Sequence, residues 1–249
     1  MILELIAIGR NFRAVTALSD VSLSVAAGEV VVLMGENGSG KSTLLRIAGG
    51  DLLPSSGSIR FRGRDAPYRS AAEARAAGVE LVGQEPALCD NLSAAANIFL
   101  GRELKRGVGP VRIVDTAAMD RRARQMLAAI GSGVPSGRRA AAMSAGERRV
   151  VALARAEVAR PVLLLLDEPT AALAVAQAAK VLDLARAFRD AGTAILIASH
   201  NVEEAFAIAD RVVILRRGTK IADRAIGITS RDEIAALIGA AAPAARIPA

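Results

Sequence analysis

The nine residues Gly35-Glu36-Asn37-Gly38-Ser39-Gly40-Lys41-Ser42-Thr43 fit the pattern G-x-x-x-x-G-K-[ST]. They follow the apolar run Val30 to Met34 and open a segment with helical periodicity, which is where a phosphate cradle has to lie. Glycines let backbone N–H groups turn inward around phosphate oxygens, and a helix start adds partial positive charge. In that setting Lys41 reaches the β- and γ-phosphates, and the Ser42 hydroxyl can ligate Mg²⁺. A glycine turn that merely packs is the competing reading, and the strand before and helix after it argue against that.

Phosphate chemistry of this kind needs acids on a neighbouring strand. Four successive leucines, Leu163 to Leu166, run into Asp167-Glu168-Pro169, and a fully apolar run of that length reads as a buried strand. Asp167 at its end is placed to hold the Mg²⁺ shell. Glu168 is placed to polarise a water in line with the γ-phosphate. Alone, the pair could be surface acids ending a strand; together with the glycine loop it reads as a hydrolytic site.

The elements that must hold these groups alternate between strand and helix. Leu3 to Ile8, Val21 to Val25, Val30 to Met34 and Ser58 to Arg62 read as strands, with a helix from Lys41 to about Ala48. From Pro86 to Ala159 the pattern changes to alanine- and arginine-rich helical segments, broken at Gly107 to Pro110 and at Gly131 to Gly137. Val162 to Leu166, a helix carrying Val181, Leu184, Ala185 and Phe188, and Ala194 to Ala198 restore the alternation, and 212 to 222 reads as a hairpin turning at Arg217-Gly218. Such alternation predicts an α/β fold with a mostly parallel sheet and helices on its faces. The expected organisation is one domain over 1–239, with a core lobe of 1–85 and 160–239, a helical subdomain of 86–159, and a flexible tail at 240–249.

Composition narrows the function classes. A hydrophobic content of 52% fills a sizeable core. The mean hydropathy of +0.35 comes from alanine, and no run approaches the roughly 18 to 20 apolar residues that span a bilayer. The start, Met-Ile-Leu-Glu, lacks the basic region of a signal peptide, which leads to the expectation of a cytoplasmic protein. One cysteine (Cys89) and one histidine (His200) exclude an internal disulfide and a Cys/His zinc cluster. The net charge of +7 is spread as single or paired arginines with only four lysines, so a nucleic-acid partner is not expected.

Three further motifs stand in order with the first two: Gln84 after Val79 to Val82, Met143-Ser144-Ala145-Gly146-Glu147 opening a helix, and His200 after Ala194 to Ala198. Over essentially its whole length the sequence resembles an ATP-binding cassette domain, a P-loop core with an N-terminal antiparallel β part and an inserted helical subdomain. The resemblance implies ATP and Mg²⁺ as ligands. It makes Glu168, Gln84 and His200 catalytic residues and Ser42, Gln84 and Asp167 metal contacts. Phe12 becomes the aromatic that stacks on adenine, although a strand-end core aromatic competes for that reading. Residues Ser144 to Glu147 become the signature that completes the ATP site of a second subunit, because Ser144 and the Gly146 N–H at a helix start form another anion cradle.

Finer features are similar to monosaccharide importers: Gly35-Glu-Asn-Gly38, Asn91-Leu-Ser93, and Asn97-Ile-Phe-Leu-Gly-Arg-Glu103. Members of that branch are often tandem double cassettes; this sequence reads as a single one, similar to a smaller set of fructose- or ribose-type subunits and without the C-terminal regulatory domain of the maltose type, expected to pair with a second such subunit, most simply as a homodimer. The resemblance also implies a separate membrane permease at the inner face of the cell membrane and, indirectly, a periplasmic or extracellular solute-binding protein. Departures are Ala145 and Glu147 in the signature and Ala174 where the family has an aspartate, and an acid at 147 is expected to repel the partner's triphosphate mildly. Importers of amino acids or other small solutes are the alternative within the family. Soluble cassette ATPases of DNA repair or translation carry insertions or second cassettes not seen here, and a small-molecule kinase would leave the signature unexplained.

Overall fold

The computed structural model describes residues 1–65, 68–107, 112–171 and 173–239. Along them run β1 (Leu3–Phe12), β2 (Val15–Val25), β3 (Val30–Met34), α1 (Lys41–Ala48), β4 (Ser56–Phe61), β5 (Arg64–Asp65), α2 (Ala71–Ala77) and β6 (Val79–Val82). Then come α3 (Ala94–Ile98), β7 (Lys105–Arg106), β8 (Ile113–Val114), α4 (Thr116–Ala129), α5 (Ala145–Ala159), β9 (Leu163–Asp167) and α6 (Val175–Asp190). The chain continues through β10 (Ala194–Ala198), α7 (Val202–Ile208), β11 (Arg211–Arg216), β12 (Thr219–Ala225) and α8 (Arg231–Gly239).

The apolar runs form the middle of a six-stranded sheet in the order β12-β11-β3-β10-β9-β6. All its pairings are parallel except β11 with β12, the expected hairpin turning at Arg217-Gly218. β3, β9 and β10 are buried at every position, as strands covered on both faces must be. Their side chains alternate between two cores. Val30, Val32, Leu164, Leu166, Ile195 and Ile197 face the helices α3 to α8, and Val31, Leu33, Leu163, Leu165, Leu196 and Ala198 face α1 and a second sheet. That second sheet is antiparallel, β2-β1-β4-β5. Arg211 helps tie it to the first, donating to Glu29 and Asp223 at 2.9 Å and to the Ser24 carbonyl.

Two features differ from the sequence reading. α2 was not foreseen, although Ser70 caps it by accepting the Glu73 N–H, the Glu73 carboxylate accepts the Arg69 N–H at 2.8 Å, and Gly78 closes it at φ 98°, an N-cap and a left-handed helix end. Within the expected helical subdomain, β7 and β8 pair as a short antiparallel ribbon; Ile113 and Val114 are β-branched residues that suit it. The expected tail 240–249 lies outside the described residues, as do Val108 to Pro110 of the expected break.

Candidate active site

The glycine loop leaves β3 and enters α1 through Gly40, whose φ of 105° only glycine adopts without strain. A Cβ there would meet the Ala17 carbonyl at 2.8 Å and Leu18 at 2.7 Å, and at Gly35 (φ 147°) it would meet the Leu215 carbonyl at 2.1 Å. The closing hairpin supports the loop from outside, since the Gly218 N–H donates to the Ser39 carbonyl at 3.0 Å. Lys41 is folded into this loop with its Nζ donating to the carbonyls of Gly35 (2.7 Å) and Glu36 (3.0 Å). Burial lowers its pKa, and the carboxylates of Glu168 and Asp167 oppose that.

Loop and acids meet although β10 lies between their strands. The Ser42 hydroxyl donates to Asp167 Oδ1 at 3.1 Å. Burial raises the Asp167 pKa, an effect to which Glu168 adds and which the Ser42 hydrogen bond, Lys41 and Arg149 counter. Glu168 follows with φ 50°, a left-handed conformation that a non-glycine residue holds only where its surroundings enforce it. Its N–H donates to the Ala198 carbonyl at 2.9 Å. His200, two residues beyond β10, places Nδ1 2.9 Å from the Glu168 carboxylate; an acceptor-only partner makes Nδ1 the protonated nitrogen.

A cleft of about 370 Å³ is lined by Ala17, Asn37, Gly38, Gly40 to Thr43, Gln84, Glu168, Ala171 and His200. Its wall thus gathers P-loop, glutamine, acid and histidine from four separate segments. The residues fit a nucleoside triphosphate with Mg²⁺: an amide-lined loop that a Cβ would close, a buried lysine, and a hydroxyl beside a carboxylate as hard oxygen donors. The Ser39 hydroxyl is buried without a protein partner, a further polar group in the loop. No group of three or more His, Cys, Asp or Glu side chains suited to a metal stands among the described residues.

Phe12 is not part of the cleft wall. It ends β1 at 40% exposure, with the Arg10 guanidinium 4.8 Å from its ring centroid, so it is not a core aromatic either. The signature also lies off the cleft wall. Ser144 caps α5 and accepts the Glu147 N–H at 3.3 Å, while the Glu147 carboxylate accepts the Ser144 N–H at 2.8 Å. Arg138 adds a second donor to Glu147 at 3.1 Å. The hydrogen bond from the Ser144 N–H lowers the Glu147 pKa, and its charge is turned onto the start of its own helix and onto Arg138.

Two positioning groups were not identified from sequence. Glu204, on α7, accepts from Thr170 Oγ1 at 2.5 Å and from Ser199 Oγ at 3.0 Å, clasping the segments that follow β9 and β10. Arg149, on α5, donates to the carbonyls of Gln84 and Ala171. Neither residue matches a motif, and the only sequence signal is a polar residue at a helix position that faces inward.

A family model described as ABC transporter matches residues 18–171. The chain belongs to that family. The cassette is 39% identical over 228 residues to a ribose import ATP-binding protein of Chromobacterium violaceum, covering 91% of this chain and 45% of that protein. It is 36% identical to a xylose/arabinose import ATP-binding protein of Sulfolobus acidocaldarius over 234 residues, 94% of this chain and 92% of the relative. This cassette thus spans about half the length of the ribose and galactoside relatives it matches. Its fold is that of solved ATP-binding cassettes. A dimeric post-hydrolysis cassette bound to ADP and Pi superposes with a TM-score of 0.78 at 23% identity, covering 90% of this chain and 98% of that one.

Proposed function

We propose that this cassette binds ATP with Mg²⁺ and hydrolyses it, as one of two such subunits that energise monosaccharide import through a separate membrane permease. The observation that carries the reading is the convergence of Lys41, Ser42, Gln84, Glu168 and His200 on one cleft. The loop from Gly35 to Thr43 binds the phosphates, and Lys41 turns its ammonium from the loop carbonyls to the triphosphate. Ser42 and Asp167, with Gln84 beside them, would hold Mg²⁺, which would supply charge neutralisation at the phosphates. Glu168 orients the attacking water, and His200, fixed by Glu168, faces the γ-phosphate. Phe12 offers adenine the ring face opposite Arg10.

Ser144 to Glu147 complete the nucleotide site of the opposing subunit; their place off the chain's own cleft wall, at the start of α5 with Ser144 and Ala145 exposed, supports this. The core lobe of 1–85 and 160–239 and the subdomain of 86–159 belong to the same reading, with the joint at Gln84. The sugar class rests on the printed functions of the ribose and xylose/arabinose relatives. No helix among the described residues is long and apolar enough to cross a membrane, so the reading needs the permease, with a solute-binding protein beyond it and this subunit on the inner face. Affinity purification from membranes tests it: a polytopic permease should co-purify, and its reconstituted vesicles should take up a monosaccharide only with ATP. Recovery of ribosomes or DNA instead would overturn the transport assignment.

A further inference from the structure

Arg149 is 5% exposed, and among the described residues no carboxylate lies within ion-pair distance of it. Its Nη1 donates to the Ala171 carbonyl and its Nη2 to the Gln84 carbonyl at 2.7 Å, while its Nε is buried without a partner. A buried guanidinium is costly, and packing alone is served as well by an apolar side chain of similar volume. What the guanidinium does and an apolar group cannot is hold two main-chain oxygens from one planar fork. Those two oxygens belong to the two segments that bring Gln84 and Glu168 to the cleft. The arginine itself sits a little over one turn into α5, the helix that begins at Ser144.

We propose that Arg149 is a positioning residue for ATP hydrolysis: it fastens the Gln84 segment and the segment after Glu168 to α5, so that the two cleft walls keep their spacing at the joint. The inference rests on the proposed ATPase function for its kinetic consequence, but the fastening itself is independent of it. Without the fork each segment is free to relax separately, and the misplacement falls on the hydrolytic step while the phosphate loop keeps its grip on ATP.

The test uses the full chain with Arg149→Gln and Arg149→Lys. Amide hydrogen exchange on the nucleotide-free protein should rise together at Cys89, whose N–H donates to Asn97 Oδ1 just beyond the Gln84 segment, and at Ala171, whose N–H donates to the Glu168 carbonyl, in Arg149→Gln, and less in Arg149→Lys. In the same variants the dissociation constant for ATP should match that of the parent. kcat should fall by about a hundredfold in Arg149→Gln, the scale of an ångström-sized misplacement, with partial recovery in Arg149→Lys. Exchange that rises at neither segment or at only one, or a kcat equal to the parent's, overturns the proposal. If Arg149→Gln does not fold, Arg149→Lys decides by the same two readouts. A parent chain that hydrolyses no ATP refutes the ATPase reading, and the exchange data still decide the clamp.

Discussion

His200 and Glu168 meet side chain to side chain at 2.9 Å across the ends of two adjacent parallel strands, with Ala198 of one opposite Asp167 of the other. The imidazole therefore fixes the orientation of the carboxylate, and the left-handed backbone at Glu168 directs it into the cleft. Glu168→Gln keeps the shape and loses the charge that orients water. Steady-state hydrolysis should fall by about 10²–10⁴-fold, the usual worth of a general base, while fluorescent-nucleotide titration shows ATP binding retained. Hydrolysis at the parent rate would remove Glu168 from its role.

Lys41→Ala should abolish ATP binding in that titration, since the ammonium is the one buried cation in the loop. Gly40→Ala should do the same by a different route. Its Cβ collides with the Ala17 carbonyl, so the melting temperature should drop along with nucleotide affinity, whereas Lys41→Ala should leave melting nearly unchanged.

Glu168→Gln with ATP and Mg²⁺ should run as a dimer in size-exclusion chromatography with light scattering, and as a monomer with ADP, because hydrolysis no longer reopens the pair. Adding Ser144→Arg should abolish the dimer without weakening ATP binding in one subunit. A dimer indifferent to Ser144→Arg would place the signature away from the interface.

Ala174 occupies the N-cap of α6 with extended backbone (φ −65°, ψ 152°) and no side-chain cap. Ala174→Asp supplies a side-chain acceptor at the first turn, where none stands now. It should stabilise the fold by about 1 kcal/mol, a rise in melting temperature of roughly 2–4 °C. An unchanged or lowered melting temperature in calorimetry would show that the cap geometry is not used.

The phosphate loop, Asp167, Glu168 and His200 were legible in the sequence because each follows an apolar strand at once, so local pattern and chemistry coincide. The strands themselves were legible for the same reason: runs such as Leu163 to Leu166 have no other stable place than between two cores. α2 escaped notice because its seven residues carry little apolar periodicity, and only Ser70, Glu73 and Gly78 mark its ends. Arg149 escaped because its partners are main-chain oxygens remote in sequence, and Glu204 because it joins the nearby Ser199 to the distant Thr170, relations that only the packed fold creates. The favourable setting of Glu147 was hidden likewise, since Arg138 reaches it from the turn before α5.

The position of β10 between β3 and β9 limits where this chain can change length. Ile195 is paired with Val30 on one side and Leu164 on the other, and its neighbours alternate between the two cores. A single residue inserted or deleted within Ala194 to Ala198 would send the β10 side chains on one side of the change to the wrong core. The same slip would carry His200 away from Glu168. Insertions in the exposed ribbon of β7 and β8 disturb no such alignment. Length variation compatible with hydrolysis is therefore confined to the periphery, while the stretch that leads to the lone histidine has a length set by two neighbours at once.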